Sequence, residues 1–147
     1  DTALDRQLPF ALILKTEAVC LLGESLASSI LPFRVDQEIA YQTRYFHRHL
    51  QIYLDEYPAE PEPAKPAFQA WLAKRFLRLG MELTMIEEQR YTRDLYLCYE
   101  SFSSSYPEQE REMWRALNLA VNPEVSEENE AFMRQFGDWL AGQAREW

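Results

Sequence analysis

Apolar residues recur along most of this chain at intervals of three and four, the spacing that puts them on one face of a helix. The clearest run is Phe68, Leu72, Phe76, Leu79, Leu83 and Ile86, which predicts a central helix of about five turns. Before it, Ile39, Thr43, Phe46, Leu50, Tyr53 and Tyr57 keep the same period. Asp36 stands where an N-cap belongs and Pro58 stops the pattern, so a long helix is predicted between them. After it, Tyr91, Leu95, Cys98 and Phe102 predict a fourth helix ending in Ser103, Ser104 and Ser105. A fifth starts at Pro107, has Glu108 and Glu110 near the positive end of its dipole, and carries Met113, Leu117 and Ala120 inward. Ser126 caps a sixth, with Phe132, Phe136, Trp139 and Leu140 facing the core.

Two stretches are less regular. Residues 8–22 predict a first helix opening around Pro9, with a strand through 18–22 as the alternative; Gly23 ends it and residues 25–33, with Pro32, form a joint. Residues 58–66 hold four prolines in nine positions, which predicts an exposed, extended loop incompatible with helix. Five or six helices on short turns with one proline-rich loop make an all-α antiparallel bundle, a single domain over residues 1–147. No repeat of solenoid length occurs.

Composition sharpens this picture in three places. The most apolar stretch, residues 8–33, is interrupted by Lys15, Glu17, Gly23 and Glu24, so it lacks the roughly 20 continuous apolar residues of a membrane span and is expected in the core. No cationic segment precedes it with a small-residue cleavage site, so a cytoplasmic location is expected. Cys20 and Cys98 have no CxxC partner and sit among apolar neighbours, which predicts two buried thiols. The chain opens on Asp1 in mid-pattern, and the expectation is the C-terminal part of a longer protein.

A net charge of -9 argues against broad attraction to a phosphate backbone, so no strong nucleic-acid signal is present. The sequence contains no Walker pattern, HExxH or G-x-S-x-G, and no catalytic or metal-binding residues are assigned. The polar cluster with chemistry in it runs from Arg44 to His49. Arg44, His47 and Arg48 share a helical face, and with His49 they are the candidate substrate- or partner-binding residues, able to hold a phosphate or a partner's carboxylates. The competing reading is a solvated face paired with Glu38, Asp55 or Glu56. Tyr91, Tyr96, Tyr99, Phe102 and Tyr106 form an aromatic series expected to fill core and interfaces rather than stack on bases. Glu87, Glu88 and the glutamates between 108 and 112 are expected on solvated faces.

Three stretches, PFALILKTEAVCLLGESL from Pro9, YFHRHLQIYLDEYP from Tyr45 and RYTRDLYLCYESFSSSYPEQE from Arg90, resemble the C-terminal helical region of proteins with a polymerase-beta-like nucleotidyltransferase domain, of the minimal and aminoglycoside-adenylyltransferase types. The resemblance implies a non-catalytic helical substrate-binding or docking domain, with an N-terminal nucleotidyltransferase domain as its partner. Magnesium and a nucleotide would belong to that parent protein, and this chain would hold no cofactor. The family's paired metal-binding carboxylates have no counterpart: Asp36-Gln37-Glu38 lacks the apolar middle residue and the preceding Gly-Ser turn. Arg44 and His49 also have the Arg-x4-His spacing of HEPN domains, some of which cleave RNA as dimers, although five residues turn them to different directions on a helix. The reading from another class is a stand-alone interaction bundle, of antitoxin or adaptor type, whose acidic faces meet a basic partner; a homodimer is compatible with it.

Overall fold

The computed structural model describes residues 8–30, 35–36 and 47–145, and over them the protein is all-helical, with seven α-helices and no strand. They are α1 (Leu8–Glu17), α2 (Leu26–Ser29), α3 (His47–Glu56), α4 (Lys65–Glu88), α5 (Leu95–Ser105), α6 (Glu110–Val121) and α7 (Glu127–Arg145), with 3-10 turns at Tyr57–Ala59 and Pro107–Gln109. The expected count of five or six omitted α2, a four-residue helix inside the stretch read as a joint.

α4 is the axis of the molecule. It packs against α5, α6 and α7, and α3 lies on α7. Its predicted stripe is buried at Leu72, Phe76, Leu79 and Leu83 and half-buried at its ends, Phe68 and Ile86, but Leu77, Met81 and Met85 off that stripe also have no exposed surface. A helix apolar around most of its circumference is one surrounded by neighbours. Gly80 lets two of those neighbours come close: a Cβ there would stand 2.6 Å from Met113 Cε and 2.9 Å from Phe102 Cδ2. Thr84 and Ser101, both buried, share a hydroxyl hydrogen bond of 2.6 Å across the α4–α5 contact. Phe102 stacks on Tyr106 and meets Phe136 and Trp139 edge-on, joining α5 to α7 through rings.

The caps follow the sequence. Asp94 accepts from the Tyr96 and Leu97 amides at 3.0 Å and opens α5, so Tyr91 precedes that helix instead of lying on it. Ser126 Oγ accepts from the Asn129 amide and opens α7, as predicted. α4 ends at Gln89 in the left-handed region (φ 49°), where the side-chain amide donates to the Val35 and Ile86 carbonyls at 2.8 Å and holds a conformation that glycine would adopt without strain.

Three expectations need correction. The first helix ends at Glu17, not at residue 22, and Val19, Leu21 and Leu22 are 81%, 93% and 95% exposed instead of forming core. Beyond α1 the chain returns past Gly23, at φ 82°, and the Lys15 ammonium donates to the Ala27 and Ile30 carbonyls at 2.9 and 3.0 Å. Cys20, expected buried, is exposed on the segment after α1, whereas Cys98 is buried as expected. The proline stretch is not wholly extended either. Pro58 lies in a 3-10 turn and Pro66 in the first turn of α4, positions where a missing amide hydrogen costs nothing, while Pro61 and Pro63 are exposed. Tyr57, just before them, is buried and stacked on Phe68, and Gln69 Nε2 donates to its hydroxyl at 3.1 Å. The helix expected from Asp36 is described only from His47 onward; residues 37–46 lie outside the described residues. Among the described residues, no helix is long and apolar enough to cross a membrane.

Candidate functional site

The predicted cationic edge falls mostly outside what is described. Arg44 lies outside the described residues, as do the side chains of His47 and Arg48, whose backbone forms the start of α3. His49 is half-buried beside the fully buried Leu50. Asp55, offered as a partner for that edge, is engaged elsewhere: Arg134 of α7 reaches it at 2.9 Å and Gln51 at 3.2 Å, contacts that hold its carboxyl below the usual range.

The geometry draws attention to the other side of the molecule. α6 and α7 each pack on α4 but touch each other far less, and the space between them is a groove. It has two parts, of 740 and 460 Å³, that share Glu112, Arg115, Glu128 and Phe132. From Gln109 to Asn122 along α6 it spans about 20 Å, the length of an amphipathic helix of three to four turns.

Arg115 bridges the groove. Its guanidinium donates to Asn129 Oδ1 at 2.7 and 3.2 Å and to Glu128 Oε1 at 2.8 Å, and it lies 4.7 Å above the Phe132 ring. Asn129 is itself fixed, because it is 7% exposed and its side-chain amide donates to the Glu124 carbonyl at 2.7 Å. The chain from the Ser126 cap through Asn129 to Arg115 thus fixes how far α6 and α7 stand apart. Sequence patterning placed Phe132 inward but gave no sign of this polar bridge, since Arg115 and Asn129 are 14 residues apart and meet only when both helices are docked on α4.

At the lip of the groove, Trp114 is 46% exposed. Tyr99 of α5 meets it edge-on at 5.3 Å, and the Tyr99 hydroxyl donates to Glu110 Oε1 at 2.9 Å, so the indole is braced on one side and remains partly exposed. Around it the groove carries Glu112, Glu124 and Glu128 against Arg111 and Arg115, with Glu110 adjoining Trp114, so the lining is net acidic. The expectation that glutamates between 108 and 112 are solvated therefore holds for Glu108 and Glu110, while Glu112 turns partly into the groove. In the aromatic series, Phe102 is core, Tyr99 supports Trp114, and Tyr96 is 59% exposed.

Among the described residues no three His, Cys, Asp or Glu side chains converge as a metal site. Comparison with protein-family models, with curated proteins and with solved structures gives no match to this chain.

Proposed function

We propose that this chain is a non-catalytic docking domain, an antiparallel helical bundle whose α6–α7 groove holds a basic, apolar-anchored segment of a protein partner. The observation that carries the reading is Trp114, a large aromatic ring braced by Tyr99 and left open at the lip of a groove with an acidic lining. Tryptophan, tyrosine and arginine supply most of the affinity at protein interfaces, and a ring fixed in advance loses little entropy on binding. The groove's length suits a helix lying along it, and a small molecule would leave much of it uncovered. A net charge of -9 selects the partner's sign, since a cationic segment is attracted at long range and an acidic one repelled.

The test uses two labelled amphipathic peptides, one with leucine and lysine, the other with leucine and glutamate, followed by fluorescence anisotropy. The lysine peptide is expected to bind with an affinity that falls as salt rises, and Trp114→Ala is expected to weaken it by about tenfold or more. Equal binding of both peptides, or unchanged binding by Trp114→Ala, overturns the proposal.

The resemblance of three stretches to the helical region of polymerase-beta-like nucleotidyltransferases supports a more specific version, in which the partner is an N-terminal nucleotidyltransferase domain of the same protein. In that version magnesium and nucleotide belong to the parent protein, and Arg44, His47 and Arg48, with His49 beside them, form a second surface that meets nucleotide phosphate. A melting-point rise with Mg-nucleotide that disappears on replacing Arg44 and Arg48 supports it; no rise in a longer chain carrying the N-terminal domain sinks it.

A further inference from the structure

A smaller pocket, of 350 Å³, adjoins the groove and shares Trp114 and Arg111 with it. Tyr99 and Glu110 complete its lining, so two aromatic rings and a carboxylate meet in a space at the low end of those that take small ligands. The ring planes stand at 60° with centroids 5.3 Å apart, two walls at an angle instead of a flat stack. Glu110 is fixed beside them, because its Oε1 accepts the Tyr99 hydroxyl at 2.9 Å, yet among the described residues no cation lies within ion-pair distance of its carboxylate. Burial, then the hydrogen bond and charge of Glu110 and the charge of Glu100, push the Tyr99 hydroxyl above its ordinary value, so a second carboxylate acts at the same corner. Arg111 is the opposing charge. It is exposed and makes no ion pair among the described residues, and a long side chain of this kind keeps its head in water with little loss.

We infer that this pocket seats the alkylammonium head of a lysine on the segment held in the groove. The carrier of the ammonium rests on the docking reading; the seat rests on the pocket alone. Aromatic rings attract a cation electrostatically and cover its methylene or methyl groups, and the Glu110 carboxylate supplies the counter-charge. A guanidinium is planar and stacks on one ring, whereas two walls at 60° suit a compact head. An anion would gain from Arg111 alone and would meet Glu110 and Glu100, in a chain whose net charge is already -9. Because Trp114 belongs to both spaces, a lysine stem leaving the groove along the indole delivers its head to the pocket.

The experiment follows the indole N–H NMR signal of Trp114 in the whole chain, assigned by its loss in Trp114→Phe. The chain is titrated with choline and, separately, with choline's neutral carbon isostere, in which a tert-butyl group replaces the trimethylammonium, each at ionic strength matched with sodium chloride. Choline is expected to bind about two- to fivefold tighter than the isostere, the margin of a cation over aromatic rings at an exposed site. Glu110→Gln is expected to lose that preference and Arg111→Gln to widen it; both side chains are exposed, so neither change threatens folding, and a merely structural role would not move the two in opposite directions. In the second arm, the leucine–lysine peptide is bound first and is expected to block choline's effect on the Trp114 signal. Choline binding no tighter than its isostere, or an unchanged preference in both variants, overturns the seat whether or not the peptide binds. A bound peptide that leaves choline's effect intact overturns the partner's lysine as the occupant. If the peptide does not bind while choline still moves the signal, the docking reading falls with that occupant, and the pocket takes a free alkylammonium ion instead.

Discussion

Replacing Asn129 by alanine tests whether the α6–α7 groove is set in advance. The side chain accepts two hydrogen bonds from Arg115, at 2.7 and 3.2 Å, and donates one to the Glu124 carbonyl at 2.7 Å. A hydrogen bond to a charged group contributes about 1.5–3 kcal/mol and a neutral one about 1 kcal/mol. The Arg115 side chain is 36% exposed and recovers water on one side, which brings its share to the low end of that range. Alanine also gains up to about 0.5 kcal/mol in helix propensity. The net expectation is a loss of about 2 kcal/mol, or about 6 °C in melting point for a domain of this size. Glu128→Ala is the control. It removes a 2.8 Å ion pair to the same guanidinium, but the Glu128 side chain is 83% exposed, and such pairs contribute well under about 1 kcal/mol. Differential scanning calorimetry of the two variants measures both. If Asn129→Ala melts no lower than Glu128→Ala, Asn129 does not hold Arg115 and the groove is not preset.

Other perturbations follow from the same contacts. Gly80→Ala meets Phe102 Cδ2 at 2.9 Å, a ring fixed by Tyr106 and Trp139, and the overpacking cost of about 1–3 kcal/mol exceeds the gain of about 1 kcal/mol in helix propensity; Gly142→Ala, with open space, keeps the gain, so the two variants should shift denaturant midpoints in opposite directions. Cys20 should react with a thiol reagent in the folded chain while Cys98 reacts only on unfolding. Burial pushes the Cys98 thiol from its ordinary 9.0 up to about 12, so the unfolded chain loses its proton first. The contribution is intact below pH 9 and is lost as pH rises toward 12, and Cys98→Ser should flatten the first part of that decline in a stability-versus-pH series.

The sequence alone sufficed for what depends on neighbours within one helix. The 3.6-residue period of Phe68 to Ile86, the Ser126 cap, the Met113–Leu117–Ala120 face and the burial of Cys98 are set by residues a turn or less apart, and all are present in the structure. What lay beyond it are features joining positions far apart along the chain. Lys15 bonds carbonyls 12 and 15 residues on, across the exposed segment that carries Cys20 and the apolar residues around it. Leu77, Met81 and Met85 are buried because helices pack on several sides of α4, a fact no one-stripe pattern contains. The groove is of the same kind. Arg115 reaches Asn129 only after α6 and α7 dock on α4, so the polar bridge of the groove is assembled by tertiary packing while the periodicity that makes each helix is written locally.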